Sequence, residues 1–259
     1  MSLIRNIALG PYKEPSYEKY EKVIIDYHEV PYTSLSSEES DNNMILFIVF
    51  YGNAEDIGSI GNMMKSISDV MITHPKTENY SFKIYSFERP GHGRHTHPFR
   101  DPEMAFDQSY KIFEMLKEKY KPVQIYFYGY SLGCVFALNL AEKVQSQING
   151  LVLFSGFASC MKAKFPNMGG MFSFVDHFDN LEVARKIKLP VCLIHGQDDT
   201  RIYPQNLDLL SEAFSNVKVK ILIPDADHTS IKQGIFKVSI FTSSQYFNGL
   251  CEYLDYTLQ

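Results

Sequence analysis

Residues 124–141 read Q-I-Y-F-Y-G-Y-S-L-G-C-V-F-A-L-N-L-A. The first part, Q-I-Y-F-Y, is an apolar and aromatic run of the kind that forms a buried strand. Gly129-Tyr130-Ser131-Leu132-Gly133 then matches G-x-S-x-G, and C-V-F-A-L-N-L-A continues as a helix. Alone, G-x-S-x-G is a chance glycine-rich turn with a capping serine. Between a buried strand and a helix it becomes a nucleophile turn. That turn strains the backbone of the serine, and Gly129 and Gly133 leave room for the strand and helix to cross. Ser131 then points into a cleft, where the Leu132 N–H and the helix N-terminus face developing negative charge.

Runs of the same type flank this segment. M-I-L-F-I-V-F at 44–50, G-L-V-L-F at 150–154 and P-V-C-L-I-H at 190–195 are continuous and apolar, as in strands covered on both faces. Weaker candidates lie at 82–87 and 217–223. Residues 23–30, V-I-I-D-Y-H-E-V, alternate as a half-exposed strand does, and the polar stretch 34–43 is expected to form a loop. Helix-period segments fall between the strands at about 57–70, 102–120, 132–144 and 204–214. Within the second of them, Phe106, Tyr110, Phe113 and Leu116 form one stripe. Strand and helix alternating in this way predict a single α/β domain over 1–259, with a mostly parallel central sheet and helices on both faces. Ligands of such sheets sit beyond the carboxyl ends of the strands, so the chemistry belongs to the loops after the apolar runs.

Bulk properties remove several other classes. Of 259 residues, 45% are hydrophobic and 21% charged, which suits a packed core rather than a disordered chain. The formal net charge of −5 argues against a general binder of nucleic acid or of anionic membranes, both of which need a basic surface. Cys134, Cys160, Cys192 and Cys251 form no C-x-x-C pair and no zinc-ligand spacing, which fits a reducing compartment. The start of the chain lacks a signal-peptide cleavage pattern, and neither terminus carries a lipidation motif. The longest apolar run, 44–51, is too short to cross a bilayer. A cytoplasmic protein without a transmembrane segment is expected, with peripheral membrane contact left open. No glycine pattern for a nucleotide appears, so no cofactor is expected.

In its elbow and its order of elements the chain resembles the α/β-hydrolase superfamily, from about residue 23 to the loop containing His228. The resemblance implies the α/β-hydrolase fold, a short cap-like insertion at about 156–180, and a triad in the chain order Ser, acid, His. Gly196-Gln197-Asp198-Asp199, after the run at 190–195, resembles the family's H-G-x-x-D turn. Matched position by position, the acid falls on Asp199, which leaves Asp198 as a turn residue. Asp225-Ala226-Asp227-His228-Thr229 resembles the terminal G-x-x-H loop and makes His228 the general base. His195, at a strand end, is expected to be a structural hydrogen-bonder. A free imidazole titrates near ~6.5, so it can take a proton from a hydroxyl at neutral pH while a carboxylate fixes its tautomer.

Tyr51-Gly52-Asn53-Ala54-Glu55-Asp56-Ile57-Gly58 resembles the H-G-N-A-E-D-x-G segment of a smaller subgroup, the alpha/beta-hydrolase domain-containing protein seventeen-like proteins, which include protein depalmitoylases. By that resemblance the Asn53 N–H joins the Leu132 N–H as the oxyanion hole. The stretch F-V-D-H-F-D-N-L-E-V-A-R-K-I-K-L-P-V at 174–191 resembles the subgroup's approach to the acid-bearing strand. Three departures stand out: Tyr51 replaces the usual histidine, Ser155-Gly156 replaces Ser-Pro, and the subgroup's N-terminal cysteine cluster is missing.

His92, His95 and His97 are read as parts of a structural turn rather than as metal ligands, because no carboxylate or cysteine stands at matching spacing. Met161, Phe165, Met168, Met171, Phe172 and Phe174 fall at the cap position, where they either line an acyl pocket or serve ordinary packing. The expected function is hydrolysis of an ester or thioester through an acyl-enzyme, on a small-molecule or acylated-protein substrate. A serine peptidase of the same fold, or a non-catalytic binding protein that kept it, are the alternatives.

Overall fold

The protein is described by a computed structural model covering residues 14–37, 43–97, 102–160, 162–163, 178–233 and 236–258. Its elements run β1 (Glu21–Ile25), β2 (His28–Ser36), β3 (Met44–Phe50), α1 (Gly61–Thr73), β4 (Ser81–Phe87), α2 (Pro102–Tyr120), β5 (Gln124–Tyr130) and α3 (Gly133–Val144). They continue with β6 (Gly150–Phe154), α4 (Asn180–Lys186), β7 (Val191–Gly196), α5 (Gln205–Ala213), β8 (Val217–Ile223), β9 (Ser230–Gln233), β10 (Phe236–Ser239) and α6 (Ser244–Thr257).

β1 to β8 form one sheet in the order β1-β2-β4-β3-β5-β6-β7-β8. The pairs β1·β2 and β2·β4 are antiparallel, and every pair from β4·β3 to β7·β8 is parallel. Because a strand's side chains alternate between faces, each central strand feeds two cores. Leu46, Ile48, Phe127, Leu151 and Leu193 pack on one face with Ile112, Phe113, Val135, Leu138 and Leu210 from α2, α3 and α5. Ile45, Phe47, Tyr128, Val152 and Ile194 pack on the other with Met63, Ile67, Val70, Leu250 and Tyr253 from α1 and α6. This two-sided burial is the reason the runs at 44–50 and 124–130 carry no polar alternation.

The structure corrects the sequence reading in three places. Residues 23–30 are not one strand: Asp26 and Tyr27 both take positive φ (48° and 68°) and turn the chain into a β1–β2 hairpin. Two successive residues in the left-handed region are what a tight hairpin turn with the right twist needs, and Asp tolerates it. The expected loop at 34–43 begins later, since β2 runs to Ser36 against β4. The first helix starts at Gly61 rather than near 57, because Asp56 accepts from the Gly58 and Ser59 N–H groups and closes a turn ahead of it. The cap position at 156–180 falls largely outside the described residues, and with it Met161, Phe165, Met168, Met171, Phe172 and Phe174.

One close approach fixes how the elbow helix sits on the sheet. A Cβ added at Gly133 would lie 1.9 Å from the Phe50 carbonyl oxygen and 2.8 Å from that of Tyr51. Both obstacles are backbone, so α3 and the end of β3 would have to separate. Gly133→Ala is expected to cost about 3 kcal/mol or more, at the upper end of overpacking penalties. Urea unfolding is the check: the midpoint should fall with the slope unchanged, and an unmoved midpoint contradicts the close contact.

Candidate active site

Ser131 sits at the turn between β5 and α3 with φ +53°, a left-handed conformation that costs a serine energy and is held by its neighbours. Its N–H donates to the Phe154 carbonyl at 2.9 Å, which ties the turn to the end of β6. Its carbonyl accepts from the Cys134 N–H at 3.0 Å, inside the first turn of α3. Leu132 stands at the start of that helix, among the amides that have no partner within it.

Asp199 follows β7 and is buried. Its Oδ1 accepts from the Arg201 and Ile202 N–H groups at 2.8 and 2.9 Å, and its Oδ2 lies 2.6 Å from His228 Nδ1. Burial by itself pushes the Asp199 carboxyl up. Hydrogen bonds from His195 and His228, the His228 charge and the Ile202 N–H outweigh it and hold the group well below the usual carboxylate range. The neighbouring Asp198 is exposed and uses its N–H on the Ala226 carbonyl at 2.8 Å, a turn role. His195 Nε2 lies 2.9 Å from the Ile202 carbonyl and 3.4 Å from Asp199 Oδ2, so it braces the acid loop.

His228 arrives on the loop between β8 and β9. Asp227 builds this loop: its Oδ1 accepts from the Thr229 and Ser230 N–H groups at 2.9 and 2.8 Å, and its Oδ2 meets Lys237 Nζ at 2.7 Å. The Tyr130 hydroxyl donates to the His228 carbonyl at 2.9 Å, and the two rings lie 5.4 Å apart. His228 Nε2 is then 3.0 Å from Ser131 Oγ. With the Nδ1 proton committed to Asp199, Nε2 is left as an acceptor for the serine hydroxyl. The three residues expected from sequence are thus brought into one hydrogen-bonded line.

Asn53, half-buried, lies on the loop after β3. Tyr51, in place of the subgroup's histidine, is buried and donates through its hydroxyl to the Glu88 carboxylate at the end of β4. Glu55 lies on the same loop; burial pushes its carboxyl up, while His228, Arg89 and Arg201 pull it down. The sequence reading assigns no role to Glu88, Arg89, Glu55 or Tyr130. A charged pair directly after the strand at 82–87, where this fold keeps its ligands, is the available signal.

The histidine-rich turn is held by hydrogen bonds where it is described. His95 Nε2 lies 2.7 Å from Gln108 Oε1 and its Nδ1 accepts from the His97 N–H at 2.9 Å, while burial lowers its pKa to about 4. Among the described residues no group of three or more His, Cys, Asp and Glu side chains is placed to hold a metal ion. Nor is any helix among them long and apolar enough to cross a membrane.

Residues 46–181 match the family model described as the alpha/beta hydrolase fold, and the chain belongs to that family. Among curated relatives it is 24% identical over 194 residues to alpha/beta hydrolase domain-containing protein aho-3 of Caenorhabditis elegans, an alignment covering 74% of this chain and 54% of that one. It is 24% identical over 215 residues to alpha/beta hydrolase domain-containing protein 17B of Homo sapiens, covering 81% and 70%. The chain therefore spans about half the length of the first of these relatives. Among solved structures it is similar to the Pyrococcus furiosus esterase Pf2001, with a TM-score of 0.67, 16% identity and 96% and 97% of the two chains covered. A soluble variant of monoglyceride lipase from Saccharomyces cerevisiae gives a TM-score of 0.66 at 17% identity, covering 96% and 100%. At these identities the structures speak for the fold alone.

Proposed function

We propose that this chain is a serine hydrolase that cleaves an ester or thioester through an acyl-enzyme formed on Ser131. The observation that carries the reading is the continuous line from Ser131 Oγ to His228 Nε2 at 3.0 Å and from His228 Nδ1 to Asp199 Oδ2 at 2.6 Å. Ser131 Oγ attacks the acyl carbonyl as its proton passes to His228 Nε2, and the buried Asp199 carboxylate stabilises the imidazolium. The carbonyl oxygen takes up the negative charge, facing the N–H groups of Asn53 and Leu132. Collapse of the tetrahedral intermediate breaks the bond to the leaving alkoxide or thiolate, with the His228 proton available to it. Water, deprotonated by His228, then attacks the acyl-enzyme and returns Ser131.

The substrate is a small molecule or an acylated protein with an apolar acyl group. The motif resemblance to depalmitoylases and the Met- and Phe-rich stretch at 157–174 support it. Rates measured on p-nitrophenyl esters and matched acyl thioesters of increasing chain length test this directly. With roughly 0.8 kcal/mol gained per buried CH₂, kcat/KM should rise with chain length until the pocket is full. Thioesters should be cleaved at least as fast as their oxygen counterparts, because the thiolate needs little protonation to leave. A profile that peaks at acetyl and falls steadily rules out the apolar acyl pocket.

A further inference from the structure

The buried guanidinium of Arg89 takes no part in the Ser131–His228–Asp199 line, yet it reaches the loop after β3 that passes beside Ser131. Arg89 follows β4 directly and is 3% exposed. Its Nη1 donates to the Tyr51 carbonyl at 2.6 Å and its Nη2 to the Gly52 carbonyl at 2.8 Å. The group is packed between two rings, 4.3 Å from the centre of Tyr51 and 5.0 Å from that of Phe136. The adjacent Glu88 accepts from the Tyr51 hydroxyl and, at 3.2 Å, from the Ile57 N–H. The dipeptide Glu88-Arg89 therefore holds the loop from Tyr51 to Ile57 at both ends.

The two carbonyl contacts dictate where the loop's amides point. A trans peptide carries its C=O and the following N–H on opposite sides, and no described peptide bond is cis. With the Tyr51 oxygen turned toward Arg89, the Gly52 N–H is turned away from it. With the Gly52 oxygen also turned toward Arg89, the Asn53 N–H is turned away as well. Successive amides facing one way form a concavity suited to an anion. Gly52 itself lies beside the nucleophile: a Cβ added there would stand 3.3 Å from Ser131 Cβ and 2.3 Å from Oε2 of Glu55 on the same loop.

We propose that Arg89 is a positioning residue for the oxyanion hole, using its two-pronged fork on the Tyr51 and Gly52 carbonyls to aim the Asn53 N–H into the cleft beside Ser131. The proposal rests on the reading of Ser131 as the nucleophile of an acyl hydrolase. Two further features fit it. The fork needs the planar geometry of an arginine, because a lysine offers a point charge and cannot hold two consecutive carbonyls at once. And the stacked tyrosine in place of histidine at position 51 supplies both the ring under the guanidinium and the hydroxyl that meets Glu88.

The test compares wild type with Arg89→Lys and Arg89→Gln in the whole chain. Four quantities are measured: kcat and KM on a p-nitrophenyl ester, the inhibition constant of a trifluoromethyl ketone with the same acyl chain, the acid limb of the pH–rate profile, and the melting temperature. Removing an aimed oxyanion donor lowers kcat on the order of 10²-fold, so both variants should lose about that much with KM nearly unchanged. Affinity for the ketone, whose bound form is an oxyanion, should fall by a comparable factor, while the acid limb, set by the serine–histidine pair, stays in place. A melting temperature lowered by lost packing alone would not move the ketone affinity of the folded fraction, which separates positioning from bracing. Arg89→Lys keeping wild-type kcat and ketone affinity would overturn the proposal by showing that the charge suffices without the fork. So would a kcat loss in either folded variant with unchanged ketone affinity. Lysine preserves charge and length, so it supplies the decision if glutamine leaves the chain unfolded. Wild-type turnover with labelling of Ser131 by a fluorophosphonate shows the underlying reading intact when the variants match wild type. A wild type that neither labels nor turns over removes that reading and this proposal together.

Discussion

Ser131→Ala is expected to abolish fluorophosphonate labelling and to lower kcat on the order of 10⁶-fold, the scale seen when another serine hydrolase loses its nucleophile. The reason is local. Only a hydroxyl with a base at hydrogen-bond distance is activated, and Ser131 Oγ lies 3.0 Å from His228 Nε2. The substitution should leave the fold in place, because the features that hold the elbow are backbone contacts: the Ser131 N–H to Phe154 and the Cys134 N–H to Ser131. Alanine keeps both. Mass spectrometry of the labelled peptide is the measurement, with a melting curve beside it. Labelling that persists unchanged in Ser131→Ala rules out this serine as the nucleophile.

Asp199→Asn is expected to cost on the order of 10⁴ in kcat, because the amide cannot keep the histidine in its accepting tautomer. Asp198→Asn should cost little, since that residue contributes its backbone N–H to the turn while its side chain is exposed. Steady-state kinetics on the two variants decides between them, and the reverse order would move the acid one residue back. A stability signature accompanies the kinetics. The Asp199 carboxyl is held below its unfolded value, so its contribution is present above the unfolded carboxylate pKa of ~3.9 and is lost as pH falls from there toward the folded value. The gap in melting temperature between wild type and Asp199→Asn should accordingly narrow below that point.

Where each stretch of sequence sits in the fold explains how much of it could be read in advance. The central strands were legible because burial on both faces leaves an unbroken apolar run, as at 44–50, and at 124–130 such a run leads straight into a glycine-bracketed serine. Asp199 and His228, which lie within hydrogen-bond distance of each other, could be singled out because their loops follow strands in a fixed order. The edge was not legible. β1 and β2 form a hairpin whose turn, Asp26-Tyr27, lacks the glycine that usually announces one. α6 was not read, although its buried positions, Tyr246, Gly249, Leu250, Tyr253 and Leu254, lie on one helix face with Phe247 and Cys251 at its margin. The bracing of the loop after β3 was invisible for a different reason: Glu88, Arg89 and Tyr51 meet through the β3–β4 pairing, and no single segment contains them all.

The line of three side chains is assembled from distant parts of the chain: Ser131 and His228 are separated by 97 positions, and Asp199 and His228 by 29. During synthesis on the ribosome the serine therefore emerges long before its base. A nascent polypeptide stopped ahead of residue 228 carries the Ser131 hydroxyl without the imidazole that stands 3.0 Å from it in the whole chain. Under the proposed mechanism, chemical competence therefore waits on the loop after β8, the strand at the far edge of the sheet.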